Sequence, residues 1–224
     1  MKGYIALKTI LDYVLSFAML IVLLPLLLLV SALVKCTSPG PVFFCHTRLG
    51  KDKRPFKIYK FRTMRTDTPK DMPTHLLADA DQFITPIGHF LRKFSLDELP
   101  QLLNILRGEM SLIGPRPALW NQYDLLGLRD QNGANGLRPG LTGWAQVNGR
   151  DELPLEVKAA YDGYYAAHVS LWLDFKILLM TVGSVLTAKG VYEGAYFGES
   201  EAEASLKKAT LEKESKKSKE PLER

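Results

Sequence analysis

The chain has 224 residues, enough for one domain with an accessory segment and a substantial core. Its formal charge of +5 suits phosphate-bearing or anionic partners, but a charge this modest does not by itself specify nucleic acid or lipid. Two cysteines, Cys36 and Cys45, are too few for a disulfide scaffold and have no metal-ligand spacing. They could pair with each other, but free thiols in a reducing compartment are the expectation.

Tyr13 to Val34 carries no charged residue, and as a helix it would reach ~33 Å, about the thickness of a bilayer core. It is too long for a secretory signal, and no small-x-small cleavage site follows it. Lys35 occupies the position before Cys36 where a lipoprotein signal needs a small residue, so the segment is expected to be retained. Pro25 near its middle predicts a kink or break. Lys2 and Lys8 precede it, and Lys35, Arg48, Lys51, Lys53 and Arg54 follow, so the positive-inside tendency favours the cytoplasm for both flanks. Hydropathy alone leaves a kinked spanning helix and a re-entrant one equally open.

A Pro/Gly turn and a short apolar strand follow in SPGPVFF. Alternation over Phe56 to Lys60 predicts a strand with one basic face, which is either simply solvated or functional. TDTPKDMPTHLLADADQ reads as a loop. Phe90 to Phe94 closes a short helix, and Leu99, Leu102, Leu103 and Leu106 have helical spacing before a stop at Gly108. Arg138 to Arg150 is a glycine-punctuated loop. Helices are predicted over Pro154 to His168 and Leu171 to Leu186; Asp174 and Lys176 make the latter an interfacial or core helix rather than a spanning one. From Glu199 the charges balance and aromatics are absent, which predicts a disordered tail.

The chemistry concentrates in SLDELPQLLNILRGEMSLIGPRP, Ser95 to Pro117. Ser95 and Glu98 spell a capping box, which would explain both carboxylates structurally, although Pro100 falls where such a helix needs an N–H. The chemical reading notes Arg92 and Lys93 before the pair and Arg116 after it, stiffened by Pro115 and Pro117. Cations would keep a carboxylate ionised and nucleophilic, a second carboxylate could hold Mg²⁺, and arginine matches phosphate oxygens. DELP recurs at Asp151 to Pro154, where Asp151 also reads as a helix cap, and local composition does not choose between the copies. Asp79-Ala80-Asp81 spells a short D-x-D, a pattern that arises readily by chance.

Four motifs in order make the chain resemble the bacterial sugar transferases, and within them the small monotopic phosphoglycosyl transferases. They are Lys60-Phe61-Arg62-Thr63-Met64, Ser95 to Leu102, Gly114-Pro115-Arg116-Pro117, and Arg138 to Gly149 (RPGLTGWAQVNG). The resemblance runs from about Lys8 to about Glu193. It implies an α/β fold: a re-entrant helix-break-helix in the membrane (residues 1–35), a compact, mainly helical catalytic domain with interfacial helices (36–198), and a charged tail (199–224). Here the break is Leu24-Pro25 where the family often has Ser-Pro, so no hydroxyl is available to satisfy carbonyls freed by a bend.

The implied reaction moves a phosphosugar from a UDP-sugar to undecaprenyl (polyprenol) phosphate and releases UMP, at the cytoplasmic face of the bacterial inner membrane. Asp97 would be the nucleophile and Glu98 the Mg²⁺ ligand. Lys60, Arg62, Arg92 and Arg116 fall at basic positions expected near phosphates, with Arg138 a weaker candidate. The second DELP lies outside the acidic motif, which favours Asp97. A non-catalytic membrane scaffold for glycan assembly is the alternative; a nucleic-acid binder is disfavoured because the basic strand lacks a stacking platform.

Overall fold

A computed structural model gives the architecture and describes residues 2–68, 80–149 and 153–187. The second acidic pair at Asp151, the first aspartate of the D-x-D at Asp79, and the tail from residue 199 all lie outside these.

The longest element is α1, Lys2–Thr37. By length and composition it is able to cross a membrane. Of the kink or break that the sequence predicts at Pro25, the break is absent: α1 continues through that residue as one helix. Packing supplies the reason. Leu20 and Leu23 before the proline pack against one core cluster, and Leu26, Leu27, Val30 and Val34 after it pack against another. One face of α1 is therefore held to the same body on both sides of the proline, while Ile10, Val14, Phe17, Ile21, Val22, Leu24, Leu28 and Leu29 remain exposed on the outside.

Next come β1 (Phe43–Leu49) and β2 (Pro55–Phe61), an antiparallel hairpin in register from Phe43↔Phe61 to Leu49↔Pro55. The period-two pattern holds at the start of β2, where Phe56 and Ile58 turn inward and Lys57 stays outside; Phe61, three residues past Ile58, is buried out of that phase. Then follow α2 (Pro86–Lys93), α3 (Leu102–Leu106), β3 (Ser111–Ile113), β4 (Ala118–Leu119) and α4 (Tyr123–Asn132). β4 adds to the other edge of β1. The chain ends its described part with β5 (Gly140–Thr142), α5 (Trp144–Val147), α6 (Leu155–Ala167) and α7 (Leu171–Thr187). α6 and α7 match the two predicted C-terminal helices closely. By contrast, α4 and the parallel β3–β5 pair were not predicted.

The core joins α1 to the rest. Leu102, Ile105 and Met110 are fully buried with Phe56 and Ile58, while Ile113, Tyr165, Val169, Leu173 and Ile177 form a second cluster. α3 stops as the leucine spacing predicts, at Gly108, whose φ of +75° suits glycine. Between the β3 and β5 turns the backbones nearly touch. A Cβ on Gly143 would lie 2.0 Å from the Gly114 carbonyl oxygen, and one on Gly140 would lie 2.1 Å from the Gly114 nitrogen. Two of the four motifs are thus pressed together as backbone against backbone.

The start of α1 is tied down by a buried polar network. The Tyr4 hydroxyl donates to Asp174 Oδ2 at 2.7 Å, Lys8 Nζ lies 2.9 Å from the same oxygen, and the Tyr165 hydroxyl donates to Asp174 Oδ1 at 2.6 Å. Asp12 accepts from Ser111 Oγ at 2.7 Å and from the Leu112 N–H at 3.2 Å. Asp174, conspicuous in an apolar helix, therefore points inward. The opposite face of α7 presents Leu171, Trp172, Phe175, Leu178, Leu179 and Val182. That division fits an interfacial helix. Both cysteines are free thiols, as expected.

Candidate active site

The acidic pair does not sit in a capping box. Ser95 adopts a left-handed conformation (φ +55°), and its side chain makes no cap bond. Leu96–Gln101 forms a 3₁₀ turn, and α3 starts only after it. Pro100 sits inside this 3₁₀ turn, where its missing N–H interrupts the ladder, and a regular α-helix begins only at Leu102. The turn places Asp97 inward, where it is 8 % exposed.

β2 delivers Lys60 to the pair. Lys60 Nζ donates to Glu98 Oε1 at 2.6 Å and lies 4.0 Å from Asp97 Oδ2. Lys60 is held in register by Asn104, a fully buried amide from α3. Its Oδ1 accepts from the Tyr59 N–H at 3.1 Å, and its Nδ2 donates to the Lys57 carbonyl at 2.7 Å and to Glu109. From the GPRP turn, Arg116 donates to Glu98 with its two terminal nitrogens at 3.0 and 3.5 Å. This is the two-pronged grip that guanidinium offers a carboxylate. Arg92, half-buried at the end of α2, adds positive potential at Asp97.

The two carboxylates are driven apart electrostatically. Cations near the pair predict a lowered pKa for the nucleophile, but the structure does the opposite at Asp97. Burial raises it to about 6, with Lys60 opposing and the Glu98 charge adding to the rise. Burial would also raise Glu98, but Arg116 and Lys60 outweigh it and hold that carboxyl well below the usual range. The cations are in closer contact with Glu98, which leaves Asp97 the less stabilised anion. The resemblance implies Asp97 as nucleophile; that role requires the ionised form, so kcat/KM should fall about tenfold per pH unit below about 6. Lys60→Met should move that acid limb to higher pH, because the lysine favours the ionised form. A pH–rate profile flat to well below 5 would contradict the assignment.

Lys60, Arg92 and Arg116 therefore converge on the acidic pair, whereas Arg62 does not. Its guanidinium donates to the Pro39 carbonyl at 2.7 Å and to the Ser38 carbonyl and hydroxyl at 2.8 and 2.7 Å. Arg62 lies past the end of β2 and closes the α1–β1 connection, so its guanidinium ties down the end of the anchor helix rather than the acidic pair. What joins Arg138 to the site is its backbone: its carbonyl oxygen lies against Gly114 at the close approach described above. Asp81 of the D-x-D lies near the His89 ring at 3.8 Å with its side chain largely in solvent. Residues not singled out from sequence are Asn104, Arg129 and Asp162. Arg129 and Asp162 form a buried ion pair at 2.6 Å, in which burial pushes the aspartate up against the pull of Arg129. The polar residue Asn104 inside the leucine run was a legible signal.

Among the described residues no group of three or more His, Cys, Asp or Glu could hold a metal ion by itself. Asp97 and Glu98 nevertheless suit Mg²⁺, which takes one or two carboxylates and completes its shell with waters and substrate phosphate. Glu98 Oε2 has a long Arg116 contact, whereas Oε1 takes the two short ones, so Oε2 is the better-placed oxygen for such an ion.

This arrangement coincides with a family pattern. The model of the bacterial sugar transferases matches residues 3–188. The chain belongs to that family. The bacterial sugar transferases it resembles include the uncharacterized sugar transferase EpsL of Bacillus subtilis, 42 % identical over 168 residues, covering 75 % of this chain and 81 % of EpsL. ExoY, an exopolysaccharide production protein of Sinorhizobium fredii, is 38 % identical over 196 residues, with 81 % and 86 % covered. The UDP-glucose:undecaprenyl-phosphate glucose-1-phosphate transferase of Xanthomonas campestris is 40 % identical over 196 residues; 84 % of this chain aligns to 40 % of that longer protein.

Proposed function

We propose that the protein is a phosphoglycosyl transferase that moves a sugar 1-phosphate from a UDP-sugar to undecaprenyl phosphate. The observation that carries this reading is the buried Asp97 beside a Glu98 gripped by Lys60 and Arg116, all on family motif positions. Asp97 Oδ attacks the sugar-linked phosphorus, the bond from that phosphorus to the bridging oxygen breaks, and UMP leaves with the bridging oxygen. The phosphosugar is then an acyl phosphate on Asp97. A phosphate oxygen of the polyprenol attacks the same phosphorus, and Asp97 departs as a carboxylate. Dividing the transfer in two lets the soluble donor leave before the lipid acceptor reacts. Lys60, Arg92 and Arg116 neutralise the phosphate charge during both displacements. Glu98 would hold Mg²⁺, which screens the diphosphate when bound. A panel of UDP-sugars with undecaprenyl phosphate, read as UMP released, tests the activity; no release from any donor would favour the scaffold alternative.

The reading includes a monotopic seat at the cytoplasmic face of the bacterial inner membrane, re-entrant through a kink at Pro25 within the continuous α1 rather than through a break. Tyr4, Lys8 and Asp12 at one end of α1 and Val30 and Val34 at the other dock on the same body, so both ends belong on the side of the catalytic domain. The outward apolar faces of α1 and α7 supply the lipid contact. In this reading Asp97 works near the plane where a polyprenol head group sits. With Cys36 and Cys45 replaced by serine, a cysteine at position 2 and one at position 35 should both resist an impermeant maleimide in spheroplasts and react in inverted vesicles. Opposite labelling of the two would establish a spanning helix.

A further inference from the structure

The GPRP turn poses a hydrogen-bonding problem. Pro115 and Pro117 have no N–H, so the turn relies on a few outside partners to fix its shape. Gly114 N–H donates to the Thr142 carbonyl at 2.9 Å, and the Pro115 carbonyl accepts from the Gly140 N–H at 2.8 Å. The carbonyl of Arg116 accepts from a side chain, Arg129 NH1 in the last turn of α4, at 3.0 Å. The other two guanidinium nitrogens of Arg129, Nε and NH2, donate to Asp162 Oδ2 on α6 at 2.9 and 2.6 Å. Arg129 is 4 % exposed and Asp162 1 %. A cavity lined in part by Pro115, Arg116 and Arg129 measures about 10 Å³, room for one water at most. The turn is therefore propped by protein.

A buried ion pair is costly to place inside a fold, and an apolar pair of similar volume often serves stability as well or better. Its retention here is explained by its geometry, because one fork spans a carboxylate and a backbone oxygen as a single ammonium cannot. We propose that Arg129, oriented by Asp162, is a positioning residue that fixes the backbone of Arg116 and so aims the guanidinium that grips Glu98 and faces the donor phosphates. The chain of contact runs from α6 through α4 to the turn and ends on the acidic pair. This rests on the active-site reading above.

The experiment is a double-mutant cycle measured on the full chain in detergent or nanodiscs, with a UDP-sugar that supports turnover. Arg129→Met combined with Asp162→Leu removes the pair while retaining its volume, and a thermal melt verifies folding. Arg129→Lys, which keeps the charge beside Asp162 but loses the bridge, is run in parallel in case the apolar pair fails to fold. In either form kcat/KM should fall about 10- to 100-fold, the order expected of a catalytic group displaced by about an ångström. In an Arg116→Ala background the same change should cost less than about twofold, because Arg129 acts through Arg116. A general loss of packing would not vanish there. Penalties that multiply in the Arg116→Ala background, or a folded variant with wild-type kcat/KM, overturn the proposal. An Arg116→Ala enzyme with full activity overturns the active-site reading beneath it.

Discussion

Asp97→Asn should reduce sugar-phosphate transfer by about a thousandfold or more, the order seen when a covalent nucleophile is removed. The substitution is nearly isosteric, and it replaces a carboxyl that burial already penalises when charged, so the fold should survive it. The decisive measurement is a reaction quenched within the first turnover, using donor labelled in the sugar-linked phosphate. Wild-type chain should carry the label on the peptide containing Asp97, and Asp97→Asn should carry none. Glycolipid accumulating at the normal rate with no label on the chain would mean direct transfer. Retained activity in Asp97→Asn with loss in Asp151→Asn would move the site to the second acidic pair.

Glu98→Gln carries the second-largest expected effect, about 10²- to 10³-fold in kcat, comparable to losing a major electrostatic group at a reacting centre. Its signature should separate it from Asp97→Asn. Glutamine still accepts hydrogen bonds from Lys60 and Arg116, but it loses the charge that would hold Mg²⁺, so the Mg²⁺ concentration for half-maximal rate should rise. The negative charge of Glu98 contributes to the raised pKa of Asp97. Removing it lowers that pKa, so the acid limb of the residual activity should move below about 6, opposite to the shift from Lys60→Met. Labelled phosphosugar should still accumulate on Asp97, only slowly. An unchanged Mg²⁺ requirement would show that Glu98 is not the ligand.

Much of the site was legible because its residues lie within one short stretch. Asp97, Glu98 and Arg116 are joined by a few turns of chain, and Lys60 stood out as the first residue of the Lys60 to Met64 motif. Arg62 was grouped with Lys60 because both belong to one motif, but β2 ends at Phe61, and Arg62 turns to the α1–β1 connection, away from the acidic pair. The Asp97 pKa was misread because burial is a property of the surroundings, and a list of nearby cations omits it. α4 escaped notice because its sequence, YDLLGLRDQN, lacks a clean apolar face; Leu125 and Leu126 are buried beside a buried arginine.

The sequence by itself determined the apolar anchor, the two C-terminal helices, the acidic pair and the family. Each of these depends on local pattern or on residues close in the chain. Only the tertiary structure decided that α1 stays helical through Pro25 because one face is packed on both sides of it. It alone placed Asp12 and Asp174 in one buried network and pressed the two glycine turns together. It also set Asp97 and Glu98 to opposite electrostatic fates. Those outcomes rest on contacts between segments up to 170 residues apart, such as Tyr4 with Asp174, where hydrogen-bond satisfaction and desolvation are settled by neighbours the chain order does not reveal.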